Sequence, residues 1–367
     1  MTTRTRSGLG ILGRLLSGAL GKAVEAAELP RSAAEWQKVL RLASAHLAVP
    51  QLRWALKEHG LFSHLPPDIA EFLEAVYALN LDRNRLCVEQ LAHLTQVLNG
   101  IGVRPLLLKG AGALVSGLYP TLGERMVSDL DVLIPEPRLP EILQRLADEG
   151  YRLIEGGEES PRMMDFAGLF GHNHYPPIGS PHWPAGVELH VSPTLLASRL
   201  LCAEEMVEGA RPLSWRQTEL LLPSPTHFIV HNVIHAFVVD FKLKGWLSLR
   251  QSFEFVHAAR IYGGRIDWTA AMRRFDERGY RSALGSYLTF AQANLGFRVP
   301  PGVSVQRWDR WTASRHLTLL AGAPSLLRSR AYSLHGSSHP LTKLRRLLTP
   351  EFYSRLSRDC MDILHHT

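Results

Sequence analysis

The sequence predicts an α+β protein in which a small mixed β-sheet lies between an N-terminal and a C-terminal helical region. Residues 31–100 carry apolar residues every three or four positions, which is the spacing of helices packed on a core. Residues 101–222 instead alternate short apolar runs with helical segments, which indicates strands and helices in turn. Helical spacing returns after Pro225. With 367 residues the chain is long enough for two or three domains.

The N-terminal helical region is predicted to occupy residues 1–100. Helices are expected over residues 33–47 and 69–98, and Pro66-Pro67-Asp68 is a helix-start signal. Residues 8–20 form an apolar run interrupted by Arg14. We interpret this run as an amphipathic or frayed helix, and a weak role at a membrane surface is the alternative.

The central α/β core is predicted to occupy residues 101–222. Short apolar runs predict four strands, at residues 104–110 (a strand and a tight turn), 126–134, 151–154 and 186–191. Helices are predicted between them at residues 111–119 and 137–149.

The remainder of the chain is predicted to be a helical region, residues 223–300, that packs on the core, followed by a basic extension, residues 301–367. The expected helices lie at residues 226–241, 247–262 and 268–295. The extension holds ten Lys or Arg residues and four Asp or Glu residues, which is six of the chain's seven net positive charges. Such a segment can bind nucleic acid, but it lacks interleaved aromatic residues, so a solvated basic region is the preferred interpretation.

Two classes of protein are disfavoured by the composition. The three cysteines, Cys87, Cys202 and Cys360, lie far apart without a C-x-x-C pair, which argues against a disulfide framework or a cysteine zinc site and favours the cytoplasm. No apolar run reaches 18 residues, so no transmembrane segment is expected.

Asp129 and Asp131 are the most informative residues. Residues i and i+2 of a strand point to the same face, while Leu130, Val132 and Ile134 would point into a core. Two like charges on one face of a largely buried strand repel each other and lose solvation, and a divalent cation such as Mg²⁺ offsets that cost. The alternative for an isolated Asp-x-Asp is an edge strand with both acids in water.

Further residues around this pair are typical of phosphate chemistry. Lys109-Gly110 ends a predicted strand and opens a helix, where backbone N–H groups can face a phosphate, although the glycine spacing is not that of a P-loop. Arg125 can pair with a triphosphate or with the acids. Glu188 and His190 share a face of the last strand, and if that strand pairs with the strand of Asp129, three carboxylates converge as a two-metal site requires.

As a set, these motifs resemble the bacterial "uncharacterised nucleotidyltransferase" family of the DNA polymerase beta-type superfamily. The resemblance covers about residues 35–295. It is carried by segments spread along the chain: Leu106-Leu-Leu-Lys-Gly110, Leu118-Tyr-Pro120, Arg125, Ser128-Asp-Leu-Asp-Val-Leu133, His172-Asn-His-Tyr-Pro-Pro177, Glu188-Leu-His190, His231-Asn-Val-Ile-His235 and Ile266-Asp-Trp268. Relatives often carry an aspartate in the helix after the paired histidines, where this chain has Trp246-Leu-Ser-Leu-Arg250 and, further on, Glu254.

The resemblance implies transfer of a nucleoside monophosphate from an NTP to a hydroxyl-type acceptor, with two Mg²⁺ ions and release of pyrophosphate. It implies Asp129, Asp131 and Glu188 as catalytic residues and metal ligands. It also implies nucleotide contacts from six residues: Lys109, Gly110, Arg125, Ser128, His174 and His190. The favoured acceptor is a peptide or a small molecule, a protein acceptor is allowed, and nucleic acid is allowed through the basic extension.

Two other functions remain open from the residues. The first is a non-catalytic nucleotide-binding or scaffold protein that keeps the fold. The second is a histidine-metal hydrolase, since His231 and His235 lie four residues apart on one helix face and His172, His174 and His190 lie nearby in sequence. Histidines that line a polar cleft or pack in a helical core are the preferred interpretation of this set.

Overall fold

The structure is a computed structural model that describes residues 7–155, 158–160, 173–194, 199–241, 247–311 and 313–314. The helices described are α1 (Gly8–Leu16), α2 (Ala33–Ala45), α3 (Val49–Glu58), α4 (Pro67–Gly100), α5 (Lys109–Val115), α6 (Leu139–Asp148), α7 (Ala203–Glu208), α8 (Pro225–Val233), α9 (Leu249–Tyr262), α10 (Trp268–Glu277) and α11 (Arg281–Leu295). The strands described are β1 (Leu106–Leu107), β2 (Asp129–Leu133), β3 (Arg152–Glu155), β4 (Glu158–Ser160), β5 (Ile178–Gly179), β6 (Gly186–His190), β7 (Arg211–Trp215) and β8 (Thr218–Leu222).

The predicted α+β class is confirmed. The strands form one mixed sheet in the order β4-β3-β5-β6-β2-β1-β8-β7. The pairs β2–β6 and β1–β8 are parallel, and the other neighbouring strands are antiparallel. The pair β2–β6 therefore lies inside the sheet, with further strands on both sides of it.

One face of the inner strands packs against helices and the other carries the acids. Leu130 and Val132 of β2 and Val187 and Leu189 of β6 are buried in a core shared with α4 and α6. Side chains alternate along a strand, so Asp129, Asp131, Glu188 and His190 lie on the opposite face. The predicted direction of Leu130, Val132 and Ile134 into a core is confirmed.

Helix α4 belongs to both hydrophobic cores of the described chain. Ile69 and Leu73, near its start, pack in the helical core, and Leu91 and Leu98, near its end, pack under the sheet. Pro67 in its first turn agrees with the predicted helix start, since proline has no N–H to leave unpaired there. The predicted boundaries at residues 100, 222 and 300 stay predictions.

Helix α4 also carries a row of buried polar side chains. Asn80 and Asn84 donate to backbone carbonyls of residues 122–125, Arg83 donates to those of residues 127, 128 and 184, and Gln90 pairs with both backbone groups of Ala185. Residues 122–128 lead into β2, and residues 184–185 lead into β6. The long helix therefore fixes where both acidic strands begin.

Helix α1 is covered by protein. Ser7 caps its N-terminus by accepting from the backbone N–H of Gly10, and five of its apolar side chains, those of Leu9, Ile11, Leu12, Leu15 and Leu16, are buried. It packs against α2, α3 and α11. The apolar face that suggested a membrane surface is therefore occupied by the helical core, and none of the described helices is long and apolar enough to cross a membrane.

Several elements differ from those predicted. The predicted helix at residues 268–295 divides into α10 and α11 at Gly279, whose φ of 74° ends the first helix. The helical segment after residue 225 changes to a π-helix, Ile234–Phe241. Strands β4, β5, β7 and β8 were not predicted, and β7 and β8 join through a two-residue turn, Arg216-Gln217, with positive φ and no glycine or asparagine to mark it.

Candidate active site

The acids of β2 and β6 meet because the two strands are adjacent and parallel. In their register Asp131 lies opposite Glu188, and Asp129 lies opposite Gly186. The side-chain atoms of Asp131, Glu188 and His190 that could bind a metal all lie within 4.8 Å of one another. Within the described ranges, no other group of three His, Cys, Asp or Glu residues meets that distance.

The close group is nearly enclosed. His190 Nε2 lies 2.9 Å from Asp131 Oδ1 and 3.6 Å from Glu188 Oε2. The side chains of Asp131 and His190 are each 1% exposed, and that of Glu188 is 19% exposed. Glu188 is therefore the member of the group that solvent or a bound molecule reaches.

Lys109 supplies a cation to the same carboxylate. Its Nζ lies 2.5 Å from Asp131 Oδ1, so the ammonium pairs with the acid in this structure. The residue begins α5 directly after β1 and has a φ of 41°, a left-handed conformation that costs a lysine about 1 kcal/mol or more. Strain of this kind persists only where surrounding contacts hold the backbone, and it is commonly found at functional sites.

The three acids differ in charge compensation. Burial favours the neutral form of Asp131, but Lys109 and His190 outweigh burial and hold its pKa well below the usual range. Burial alone would also raise the pKa of Glu188, but the contact with His190 outweighs burial and leaves that pKa lowered.

Asp129 differs from the other two acids. Burial raises the pKa of Asp129, and the neighbouring charges of Asp131 and Glu188 raise it further. Asp129 is thus the acid with the least compensation, and Ser128 Oγ donates to its Oδ1 at 2.8 Å.

His190 is oriented by both ring nitrogens. Its Nε2 faces Asp131, and its Nδ1 lies 3.1 Å from Asn173 Nδ2. Burial alone would lower the pKa of His190, but the contacts with Asp131 and Glu188 outweigh burial and raise that pKa. His174 lies beside it, with ring centroids 5.1 Å apart, and its Nε2 is 4.0 Å from Glu188 Oε2. Both predicted histidines therefore border Glu188, and their contact with a nucleotide stays a prediction.

Arg125 lies next to this site but is held by a carboxylate that the sequence reasoning did not assign. Its Nε lies 2.7 Å from Glu254 Oε2 in α9, and its Nη1 donates to Met126 O at 2.6 Å. Tyr119 also donates to Glu254, at 3.2 Å. Arg125 is only 6% exposed, and its guanidinium forms the buried ion pair with Glu254. A contact between Arg125 and phosphate stays a prediction. Nothing in the spacing of residues 125 and 254 signals that they meet.

Gly110 is packed where a side chain does not fit comfortably. A Cβ at this position would lie 3.1 Å from Val127 Cγ1 and 3.2 Å from Arg125 Nη1. Gly110 therefore lets the start of α5 approach the segment that leads into β2. That approach brings Lys109 within reach of Asp131.

His231 and His235 do not join the acids. His231 Nε2 lies 3.0 Å from Pro193 O, and burial lowers the pKa of this imidazole to about 3. His235 lies 6.3 Å from it, ring centroid to centroid, and its Nδ1 contacts Gln251. The close metal-capable group contains only His190 among the histidines described, and His172 lies outside the described residues.

Comparison with known families agrees with this geometry. Residues 32–296 match the family described as uncharacterised nucleotidyltransferase. The chain belongs to that family. The match spans most of the chain and includes β2, β6 and α9. No curated protein matches the chain.

The donor atoms present suit a hard divalent cation. Carboxylate oxygens are the ligands that Mg²⁺ prefers, and the acidic face of β2 and β6 offers Asp129, Asp131 and Glu188. The Nε2 of His190 is committed to Asp131 and Glu188. The residues of this nucleotidyltransferase-family chain therefore fit a divalent metal, which is a cofactor that nucleotidyltransferases use.

Proposed function

We propose that the chain is a Mg²⁺-dependent nucleotidyltransferase of the DNA polymerase beta type. It would move a nucleoside monophosphate from an NTP to a hydroxyl of a peptide, small molecule or protein. The observation that carries the proposal is the parallel pairing of β2 with β6, which sets Asp131 beside Glu188 with Asp129 on the same face. Membership of the nucleotidyltransferase family supports the reaction class.

In the proposed reaction the acceptor oxygen forms a bond to the α-phosphorus of the NTP. The bond from that phosphorus to the oxygen bridging to the β-phosphorus breaks, and pyrophosphate leaves. The acceptor's proton passes to solvent water on the open side of the site, where Glu188 is 19% exposed, whereas Asp131 is enclosed. Asp129, Asp131 and Glu188 would hold two Mg²⁺ ions, which supply charge stabilisation for the attacking oxygen and for the leaving pyrophosphate.

The surrounding side chains would position these acids. Lys109 and His190 hold Asp131 ionised, and Ser128 orients Asp129 by a hydrogen bond. Catalysis of this kind depends mostly on positioning and on stabilising charge, since the protein does little covalent chemistry.

The test replaces both aspartates. Asp129→Asn with Asp131→Asn removes two negative charges at nearly constant shape, so the fold should persist. We expect Mg²⁺-dependent transfer of label from α-labelled NTPs, measured with cell extract as acceptor source, to fall at least ~100-fold. Asp148→Asn, an exposed aspartate on α6, is the matched control and should keep wild-type transfer. A double variant that transfers label at the wild-type rate would rule the mechanism out.

One observation favours a second candidate, a nucleotide-binding protein without turnover. Asp131 is already neutralised by Lys109 and His190 at 2.5 and 2.9 Å, so this acid does not need a metal for charge balance. Calorimetry with NTP and Mg²⁺, combined with an assay for pyrophosphate, separates the two candidates. Tight NTP binding without pyrophosphate release in the presence of the extract supports the second one.

A further inference from the structure

Arg250, in the first turn of α9, is a half-buried cation without a matching anion. Its Nη1 donates to Met126 O at 2.8 Å, while its Nε is buried and has no hydrogen-bond acceptor. Arg250 forms no ion pair with any residue that the structure describes. A guanidinium has five N–H donors in a planar fork, so the described residues use only a small part of the capacity of this side chain.

The neighbouring arginine shows what Arg250 lacks. Arg125 donates to the same carbonyl oxygen, Met126 O, but it also has Glu254 as a buried counter-ion. Burial, and after it the like charge of Arg125, lower the pKa of Arg250 to about 10. The smaller attractions of Glu254 and Asp129 do not balance these effects. Arg250 is therefore a cation near β2 that forms no direct ion pair with a described carboxylate.

The position of this charge limits which anion would fit. Met126, the residue that Arg250 contacts, lies three residues before Asp129, and Arg125 packs against the position of Gly110. The guanidinium of Arg250 thus lies between α9 and the segment that connects Gly110 with Asp129. Planar guanidinium groups bind phosphate oxygens through paired hydrogen bonds, and a triphosphate that meets the acids through metal ions would bring such oxygens to this place.

We propose that Arg250 binds the triphosphate of the NTP beside Asp129. This proposal rests on the proposed function and names a residue for it that the sequence motifs did not. Arg250 then serves as a binding residue, with Glu254 and Arg125 as the positioning pair beside it.

The test uses inorganic triphosphate with Mg²⁺ as the probe and calorimetry as the readout, so it needs no acceptor and no turnover. Arg250→Met keeps the volume of the stem and removes the charge. We expect the dissociation constant for triphosphate to rise at least ~10-fold. Arg260→Met is the matched control, because Arg260 lies on the same helix and also donates to one backbone carbonyl, Ala19 O at 3.1 Å. It should bind triphosphate within about twofold of wild type.

A stability measurement separates binding from a structural role. Removing a buried charge that has no counter-ion should leave the melting temperature of Arg250→Met unchanged or raise it. At one triphosphate concentration, the melting temperature should rise equally for the wild type and Arg260→Met, and clearly less for Arg250→Met. A melting temperature of Arg250→Met several degrees below wild type would assign Arg250 to the fold and overturn the proposal.

The outcomes for Arg250 and for the reaction are distinct. The role of Arg250 is overturned if the wild-type protein does not bind triphosphate, or if Arg250→Met binds it as tightly as the wild type does. Either result stands even where the Asp129 and Asp131 variants abolish transfer. Conversely, the chain can bind triphosphate through Arg250 and yet transfer no nucleotide. That result would support the role of Arg250 and contradict the proposed reaction. Arg250→Lys, which keeps the charge, should recover part of the affinity.

Discussion

At the scale of single residues, the site is organised by which acid receives a cation from the chain itself. Lys109 and His190 both contact Asp131 directly, whereas the direct side-chain partner of Asp129 among the described residues is the hydroxyl of Ser128. The backbone strain and the burial of Lys109 both cost free energy, so any stabilisation by this residue comes from its attraction to the surrounding carboxylates. Removing the cation alone would leave three acids facing each other with one imidazole between them.

We therefore expect Lys109→Met to lower the free energy of unfolding by about 3 kcal/mol, since breaking a buried ion pair leaves an uncompensated charge. Adding Asp131→Asn to that variant should restore part of the loss, because the charge left behind is removed as well. Urea denaturation of the wild type, both single variants and the double variant measures the coupling between the two residues. Losses that simply add, within about 0.5 kcal/mol, would show that Lys109 and Asp131 do not stabilise each other.

At the scale of elements, the site depends on how α4 fixes the entry of two strands. Arg83 donates from this helix to the carbonyls of Val127 and Ser128, before β2, and to that of Pro184, before β6. The two segments are joined through one buried guanidinium. The register that sets Asp131 opposite Glu188 begins at these segments.

We expect Arg83→Met to loosen this junction and to increase hydrogen exchange of the backbone amides in β2 and β6 by about 10-fold or more. Three carbonyls lose their shared donor, and each buried carbonyl left unpaired costs about 1–3 kcal/mol. Arg85→Met is the matched control, because Arg85 lies on the same helix, is exposed and pairs only with Asp82 among the described residues. Equal exchange in the two variants would contradict a role for Arg83 in holding the strands.

The sequence predicted the elements that carry strong local signals and missed those set by distant contacts. Strand β2 and strand β6 have alternating acids and apolar residues, and the acidic face they form was expected from that pattern. Strand β5 has two residues, and β7–β8 has a turn without glycine, so neither leaves a clear local pattern. The ion pair of Arg125 with Glu254 depends on how α9 packs, which no spacing within the chain encodes.

At the scale of the whole molecule, α4 joins the helical core to the sheet core. Leu73 is fully buried in the first and Leu91 in the second, and both belong to one continuous helix. A helix shared in this way transmits the loss of packing on one side to the other. The two cores should therefore unfold together although the sequence suggested separate regions.

We expect a single unfolding transition in urea. Leu73→Ala and Leu91→Ala should each shift that transition by about 2–5 kcal/mol, because each leaves a cavity in a packed core. Fluorescence and circular dichroism should give the same midpoint for each variant. Two separated transitions, with each variant moving only one of them, would show that the cores are independent domains.

The shared helix also has a consequence during synthesis. Synthesis of α4 is complete at residue 100, but the last strand of the described sheet, on which one side of α4 packs, is complete only at Leu222. At about 5–20 residues per second, the apolar side chains of that helix wait roughly 6–25 s for their partners. Through that interval the nascent chain exposes a long apolar stripe to solvent, so chaperones that hold such surfaces have time to bind before the last strand of the sheet is made.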